Sequence, residues 1–414
     1  MPARVLLAIL LTAAAAFAQP PTALFSQVDQ MVTTLSEITG WPIRHKVPSE
    51  ILSKNSFKHY LEEQTKGNSR QKEIHAEELA LKMFGLIPQE FDLGREEVDL
   101  LGEQAAAFYD YKRKRLFILD STRNGDDQRE ALVHELAHAL ADQQHPLGKY
   151  LNHGSPDDDE STAREAVMEG QATWLTWAYE AKLAGGKAEV PARLIDRLTQ
   201  SDDANPDFPV FTSAPLYLRE SLIFPYNAGA RFQDAVYRKL GKQAFEAVFQ
   251  RPPRSTQQIM HPDAYLADEK PAATDPPALE AAIGKDGRQF RPVIEGVVGE
   301  FDVAMLLRQY VGDPAGAAAA AHWHGGAFRL YEHKPEKSPL LFYVSEWDTP
   351  AAARKFFELY QRVMKGKWKR FGIVSMEEMG ATSGVVGNGD SGKFRLSVSG
   401  VKVECVEGLR ENAN

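Results

Sequence analysis

Cysteine is almost missing from this chain: Cys405 stands alone, so no disulfide can form within it, and stability has to come from packing or a bound metal. Long apolar runs are nearly missing too. The one that exists, Val5 to Leu11 with the alanines behind it, follows Arg4 and leads to Ala16-Phe17-Ala18, small residues around a cleavage point before Gln19. Polar Gln19 and Pro20 close it short of the ~20 apolar residues of a membrane span. Residues 1–18 are therefore expected to be an export signal, and the product a periplasmic or secreted protein with no stable membrane anchor after signal cleavage. A surplus of cations is also lacking. The net charge is -9, which argues against nucleic acid as a partner, because such a surface must replace phosphate counterions with Lys and Arg.

What is present divides into four segments after the signal. In residues 19–103, Val28, Met31, Val32, Leu35 and Ile38 recur at helical spacing up to Gly40. Further helices are expected around Glu50 to Gln64 and Arg70 to Phe84, the latter capped by Gly85. This region reads as scaffold rather than a removable propeptide, since no processing signal follows it. Residues 104–266 hold a hairpin, Ala105 to Tyr109 with Leu116 to Leu119, and then helices at Gln128 to Asp142, Ser161 to Leu183, Pro191 to Thr199, Phe232 to Leu240 and Ala244 to Phe249. Asn124, Asp126 and Asp127 are N-cap candidates for the first of these. The run Asp157-Asp158-Asp159-Glu160 reads as solvated charge at the next helix N-terminus rather than a calcium site. Residues 267–290, rich in Pro, Ala, Asp and Lys, read as a linker. Residues 291–414 predict a small α+β module, with helices at Glu300 to Tyr310 and Pro350 to Met364 and strands at Ala327 to Tyr331, Leu340 to Val344, Phe394 to Val398 and Val401 to Val406. The expected fold class is α+β.

The chemistry-bearing feature is His134-Glu135-Leu136-Ala137-His138, an HExxH run. Four residues advance a helix by slightly more than one turn, so His134 and His138 project from one face and can hold one metal ion, with Glu135 beside them as a base. Leu132, Val133, Leu136, Ala139 and Leu140 give that helix a buried stripe. A metzincin would carry Gly at 141 and His at 144, where this chain has Ala141 and Gln144. The third ligand then comes from His145, His153, Glu160, Glu165 or Glu169. Glu165 and Glu169 lie one turn apart on the second helix, and Glu169 is favoured because Gly170 and Ala172 let that helix approach its neighbour closely. Asp142, one turn beyond His138, is a candidate for orienting a ligand histidine.

From Gln104 to Tyr265 the chain resembles the gluzincins, the thermolysin-like and aminopeptidase-like zinc peptidases, which carry HExxH on one helix and a glutamate ligand on the next. The resemblance implies a zincin-like, mostly helical catalytic unit with a small edge sheet along which extended peptide binds. It implies Zn²⁺ held by His134, His138 and Glu169, Glu135 as general base, and a peptide or protein substrate. Pro225-Tyr226-Asn227-Ala228-Gly229 is similar to the Tyr-x-x-Gly segment of gluzincin aminopeptidases, so Tyr226 is the expected oxyanion partner, with His261 a weaker candidate. The Gly-x-Met-Glu-Asn segment that recognises a free N-terminus is absent, Ala105-Ala106-Ala107-Phe108 standing in its place, so aminopeptidase specificity is not implied. The aspartate that often follows the glutamate ligand by one turn is replaced by Thr173. A non-catalytic exported binding protein on the same scaffold is the alternative, and the intact Glu135 argues against it. His322-Trp323-His324 in the C-terminal module reads as structural rather than as a metal or carbohydrate contact.

Overall fold

The computed structural model describes residues 26–410, except 66, 121–124, 153–156, 198–207 and 380–381. The expected signal at 1–18, the cap candidate Asn124, the ligand candidate His153 and the end of the helix expected up to Thr199 lie outside the described residues. The chain is a mixture of helices and strands, as expected.

The first helix, α1 (Val28–Thr39), buries Met31, Leu35 and Ile38 and stops at Gly40, whose φ of 81° few other residues would adopt. Strand β1 (Ser49–Ser53) and helix α2 (Lys54–Thr65) correct the single helix expected from Glu50 to Gln64: Ile51 and Leu52 pair in register with Ile118 and Leu119, and that long-range pairing overrides local helix propensity. Helix α3 (Asn68–Phe84) ends at Gly85, again with φ of 81°, and α4 (Leu93–Gln104) begins at Asp92, which accepts from the Arg95 amide. The hairpin follows as β2 (Ala107–Asp110) and β3 (Arg115–Asp120). The three strands are ordered β1-β3-β2, with β1 parallel and β2 antiparallel to β3, so β2 is an edge.

The HExxH run lies on α5 (Gly125–Gln144), followed by α6 (Leu147–Leu151) and the long α7 (Asp158–Leu183). After the short α8 (Ala192–Arg197) and α9 (Pro209–Ser213), a single helix α10 (Leu216–Leu240) runs through Pro225 and corrects the start expected at Phe232. Packing explains it. A Cβ added at Gly170 of α7 would stand 2.0 Å from the Gly229 carbonyl carbon of α10, and one at Gly229 would stand 2.0 Å from the Ala166 carbonyl oxygen. The two backbones touch, so Gly229 serves helix contact rather than a turn. Helices α11 (Gln243–Gln250), α12 (Thr256–Met260) and α13 (Pro262–Leu266) complete this part.

The segment read as linker packs along the module. The Ala272 amide donates to His324 O at 2.7 Å, and α14 (Leu279–Ile283) places Leu279 and Ile283 against Phe342 and Val406. Seven antiparallel strands then form one sheet in the order β4-β5-β6-β10-β9-β8-β7. They are β4 (Phe290–Val297), β5 (Trp323–His333), β6 (Pro339–Trp347), β7 (Gly372–Met379), β8 (Thr382–Gly389), β9 (Gly392–Ser399) and β10 (Lys402–Leu409). Between them lie α15 (Glu300–Val311), α16 (Ala315–Ala320) and α17 (Pro350–Lys367). Phe356 and Tyr360 of α17 meet Tyr343 on one sheet face, and Phe84 of α3 packs edge-on against Phe328 and Tyr343. One apolar core thereby runs from Val28 to Cys405.

The acidic run is not solvated charge. Asp157 caps α7 by accepting from the Glu160 amide, but Asp158 and Asp159 are buried. Asp158 accepts from the Val297 amide at 2.8 Å, and Asp159 accepts from Thr256 Oγ1 at 2.6 Å and from the Thr256 amide. Thr256 Oγ1 in turn accepts from the Phe301 amide. The start of the helix bearing Glu169 is thus tied to the first strand and helix of the seven-stranded module. Buried carboxylates need such donors, which periodicity along the sequence does not reveal.

Candidate metal centre

His134 and His138 are presented by α5 and Glu169 by α7, and all three side chains are buried. Their contact atoms form a nearly equilateral triangle: His134 Nε2 to Glu169 Oε2 is 3.0 Å, His138 Nε2 to Glu169 Oε2 is 3.2 Å, and the two ring nitrogens are 3.1 Å apart. Three ligands at ~2.0–2.1 Å from one tetrahedral ion stand about 3.3 Å from one another, so the triangle has the size of one face of such a site. Hydrogen bonding alone does not account for it. A ring nitrogen carries either a proton or a lone pair, so with Glu169 ionised no assignment of protons makes all three edges attractive. Two donors to Oε2 would set N–H against N–H, and one donor would leave a lone pair facing a lone pair. A cation at the centre turns all three edges into shared coordination. Glu169 Oε1 and His134 Nδ1, both buried, find no hydrogen-bond partner among the described residues.

The electrostatics fit the same use. Burial holds His134 neutral, with its pKa lowered to about 4 even though Glu169 pulls upward. Burial would raise Glu169, but the facing histidines outweigh it and hold the carboxylate at about 2. Neutral imidazole and ionised carboxylate are the forms that bind a metal. Glu135, on the same helix and also buried, is pushed well above its ordinary range by burial and then by the Glu169 charge, while the Tyr109 amide acts against the shift by donating to Oε2 at 2.7 Å.

Tyr109 is a contributor that motif reading missed. Its amide reaches Glu135, and its hydroxyl donates to Asp142 Oδ2 at 2.8 Å, so one residue of the edge strand grips α5 at two points. Asp142 is buried, also accepts from Lys114 Nζ and the Leu147 amide, and is thereby committed to the hairpin and to α6 rather than to a ligand histidine. The one signal in the sequence was alternation: with Phe108 paired across to Phe117, the neighbouring Tyr109 turns its backbone groups outward.

Tyr226 comes to the site from α10. Its ring lies over that of His134, with centroids 5.8 Å apart and an interplanar angle of 29°. The other candidates are elsewhere. His145 pairs with Glu246 at 2.9 Å and stacks on Phe249, and Glu160 pairs with Arg164. Glu165 is half-buried one turn before Glu169 and outside the triangle, its charge felt at Tyr111. His261 bonds Glu300 at 2.8 Å, and His322 bonds Asp348 at 2.7 Å.

Among known families, one described as "Domain of unknown function (DUF8575)" matches residues 288–413, which covers the seven-stranded module and none of His134, His138 and Glu169. No curated protein and no solved structure matches the chain.

Proposed function

We propose that the chain is a zinc-dependent metallopeptidase of gluzincin type, with a zincin-like catalytic unit and an exported destination. The observation that carries this reading is the buried triangle of His134, His138 and Glu169 with the carboxylate of Glu135 on the adjoining helical position. A bound zinc ion would supply Lewis acidity, lowering the pKa of a water and polarising the scissile carbonyl. His134 and His138 would hold it as neutral imidazoles and Glu169 as a carboxylate. Glu135 accepts the proton of the attacking water and returns it to the leaving nitrogen, and burial suits it to the task by raising its affinity for that proton. The Tyr109 amide fixes which way the carboxylate points. Tyr226, stacked on His134, donates its phenol hydrogen to the developing oxyanion. Strand β2 is an edge of the small sheet and lies against the helix bearing Glu135, which is the placement an edge-pairing peptide substrate would need.

Metal analysis of the purified chain, combined with mass-spectrometric profiling of a peptide library by wild type and Glu135→Gln, tests the reading. About one zinc per chain, and cleavage lost in Glu135→Gln, are expected. Zinc with no turnover of any peptide would favour a binding protein on this scaffold; absence of zinc would end the proposal.

A further inference from the structure

Between residues 350 and 376 the sequence holds seven cations and one anion, Glu358, in a chain whose net charge is -9. Lys367 is buried on Glu407, and the other six, Arg354, Lys355, Arg362, Lys365, Lys369 and Arg370, are exposed. Four of them follow helical spacing along the outer face of α17, whose inner face carries Phe356, Tyr360 and Val363 into the core. The last two sit where α17 hands over to β7, held by Asp390, which accepts from the Lys369 and Arg370 amides.

Strand β7 is an edge of the large sheet, and it carries the two most exposed large apolar side chains among the described residues, Val374 at 70% and Met376 at 71%, with Ile373 at 42% beside them. Pairing fixes the side on which two of them stand. Met376 is in register with Val385, then Leu396, then Cys405, and Ile373 with Gly387, then Phe394, then Glu407. Glu407 accepts from Tyr360 of α17, so Ile373 and Met376 stand on the α17 side of the sheet, beyond the helix's cover. Val374 is the residue left over at the irregularity between Ile373 and Ser375. Arg354 reaches across to Ser383 on β8, which places the basic helix beside this apolar shelf. The acidic pair Glu377-Glu378 follows only beyond Met376.

We propose that this face docks on an anionic lipid surface, with Ile373, Val374 and Met376 entering the apolar boundary of the bilayer and the six cations meeting the headgroups. Cations alone would suit any polyanion, but the projecting apolar side chains gain from the apolar boundary of a bilayer and nothing from a nucleic acid or polysaccharide, and the cations beside them match anionic headgroups. No helix among the described residues is long and apolar enough to cross a membrane. The docking is independent of the peptidase reading, because none of these residues belongs to the metal centre.

Flotation of the full chain with vesicles tests it. Binding is expected to vesicles of phosphatidylcholine with phosphatidylglycerol, not to phosphatidylcholine alone, and to fall as salt rises. Each cation removed, as in Lys365→Ala or Lys369→Ala, should weaken partition roughly fivefold. Val374→Asp with Met376→Asp should weaken it at least ~10-fold, with the melting temperature unchanged. Met376→Trp, which keeps the shelf apolar, should show blue-shifted emission when anionic vesicles are added, and this readout does not depend on the aspartate variants folding. Equal binding to both vesicle types, or none, overturns the proposal. So does retention on heparin without vesicle binding, or a dimer in solution that Val374→Asp with Met376→Asp dissociates.

Discussion

Two of the buried polar clusters in the described residues are built on opposite plans. In the seven-stranded module, Lys367 is 2% exposed and Glu407 is fully buried, yet every group is used: Lys367 Nζ donates to Met83 O at 2.7 Å and to the two Glu407 oxygens at 2.9 and 2.7 Å, while Tyr360 donates to the same carboxylate at 2.9 Å. In the candidate metal centre, three atoms crowd together without a proton pattern that satisfies them, and Glu169 Oε1 is left over. A closed cluster fastens one element to another, here the end of α3 to the sheet. An open one has lone pairs left for a bound cation, which is the use proposed above. Orphaned atoms alone do not mark such a site, since Gln233 Nε2, Glu300 Oε2 and Trp323 Nε1 are also buried without a partner among the described residues; three converging ligand atoms set this one apart.

The largest expected effect tests the open cluster. Glu135→Gln should lower kcat/KM on the best peptide about 10²- to 10⁴-fold, the range for loss of a general acid-base group, while metal content stays as in wild type. A loss of metal in parallel would show Glu135 to be structural and would erase the contrast. The closed cluster should respond in the other currency. Lys367→Met leaves the Glu407 charge buried and unpaired, at a cost of ~3–5 kcal/mol in unfolding free energy, with turnover per folded molecule unchanged. Adding Glu407→Leu should recover most of that loss, since a well-packed apolar pair replaces a buried ion pair at little cost. Chemical denaturation of the single and double variants measures both. Next in size is metal itself: at about a hundred times its Kd, a bound ion adds ~2.7 kcal/mol to stability. A chelator should lower the melting temperature of wild type and leave Glu169→Gln unmoved, whereas an equal response in both would remove Glu169 from the ligand set.

How far the sequence carries this contrast depends on range. Helical spacing puts His134 and His138 on one face of one helix, Glu169 is one of five candidates for a third ligand, and the structure brings these three together; Gly170 correctly announced a close helix contact. Where several distant segments meet, the pattern was silent or misleading. Asp158 and Asp159 look like surface charge until Val297 and Thr256 supply their donors. Pro225 and Gly229 look like a turn, yet Gly229 is small because Ala166 and Gly170 lie against it. Strand β8 was passed over for its glycines, Gly384, Gly387 and Gly389, although a Cβ at Gly387 would meet the Phe394 ring at 2.6 Å and one at Gly389 the Trp368 ring at 2.4 Å. Gly387 and Gly389 make room for aromatic rings, whereas a run of glycines reads as a loop in one dimension. Helix α4 is not among the elements expected from the sequence, where Gly94 and Gly102 interrupt a stretch whose buried residues are Leu93, Leu100 and Leu101.

The last comparison concerns sign rather than size. Burial first, and then the Glu169 charge, push the Glu135 carboxyl well above its ordinary 4.5, against the pull of the Tyr109 amide. The folded, metal-free chain therefore keeps a proton that the unfolded chain gives up once the pH passes 4.5. The contribution of Glu135 to stability is full below that value and declines as pH rises toward the folded pKa. Glu135→Gln has no such proton to lose, and its amide oxygen still accepts from Tyr109. Metal-free wild type and Glu135→Gln should then melt together in acid and diverge as pH rises, with the inactive variant the more stable. Melting curves that stay superimposed up to neutral pH would mean that Glu135 ionises without penalty in the folded chain. The open cluster would then lack the stored cost that distinguishes it from Lys367 and Glu407.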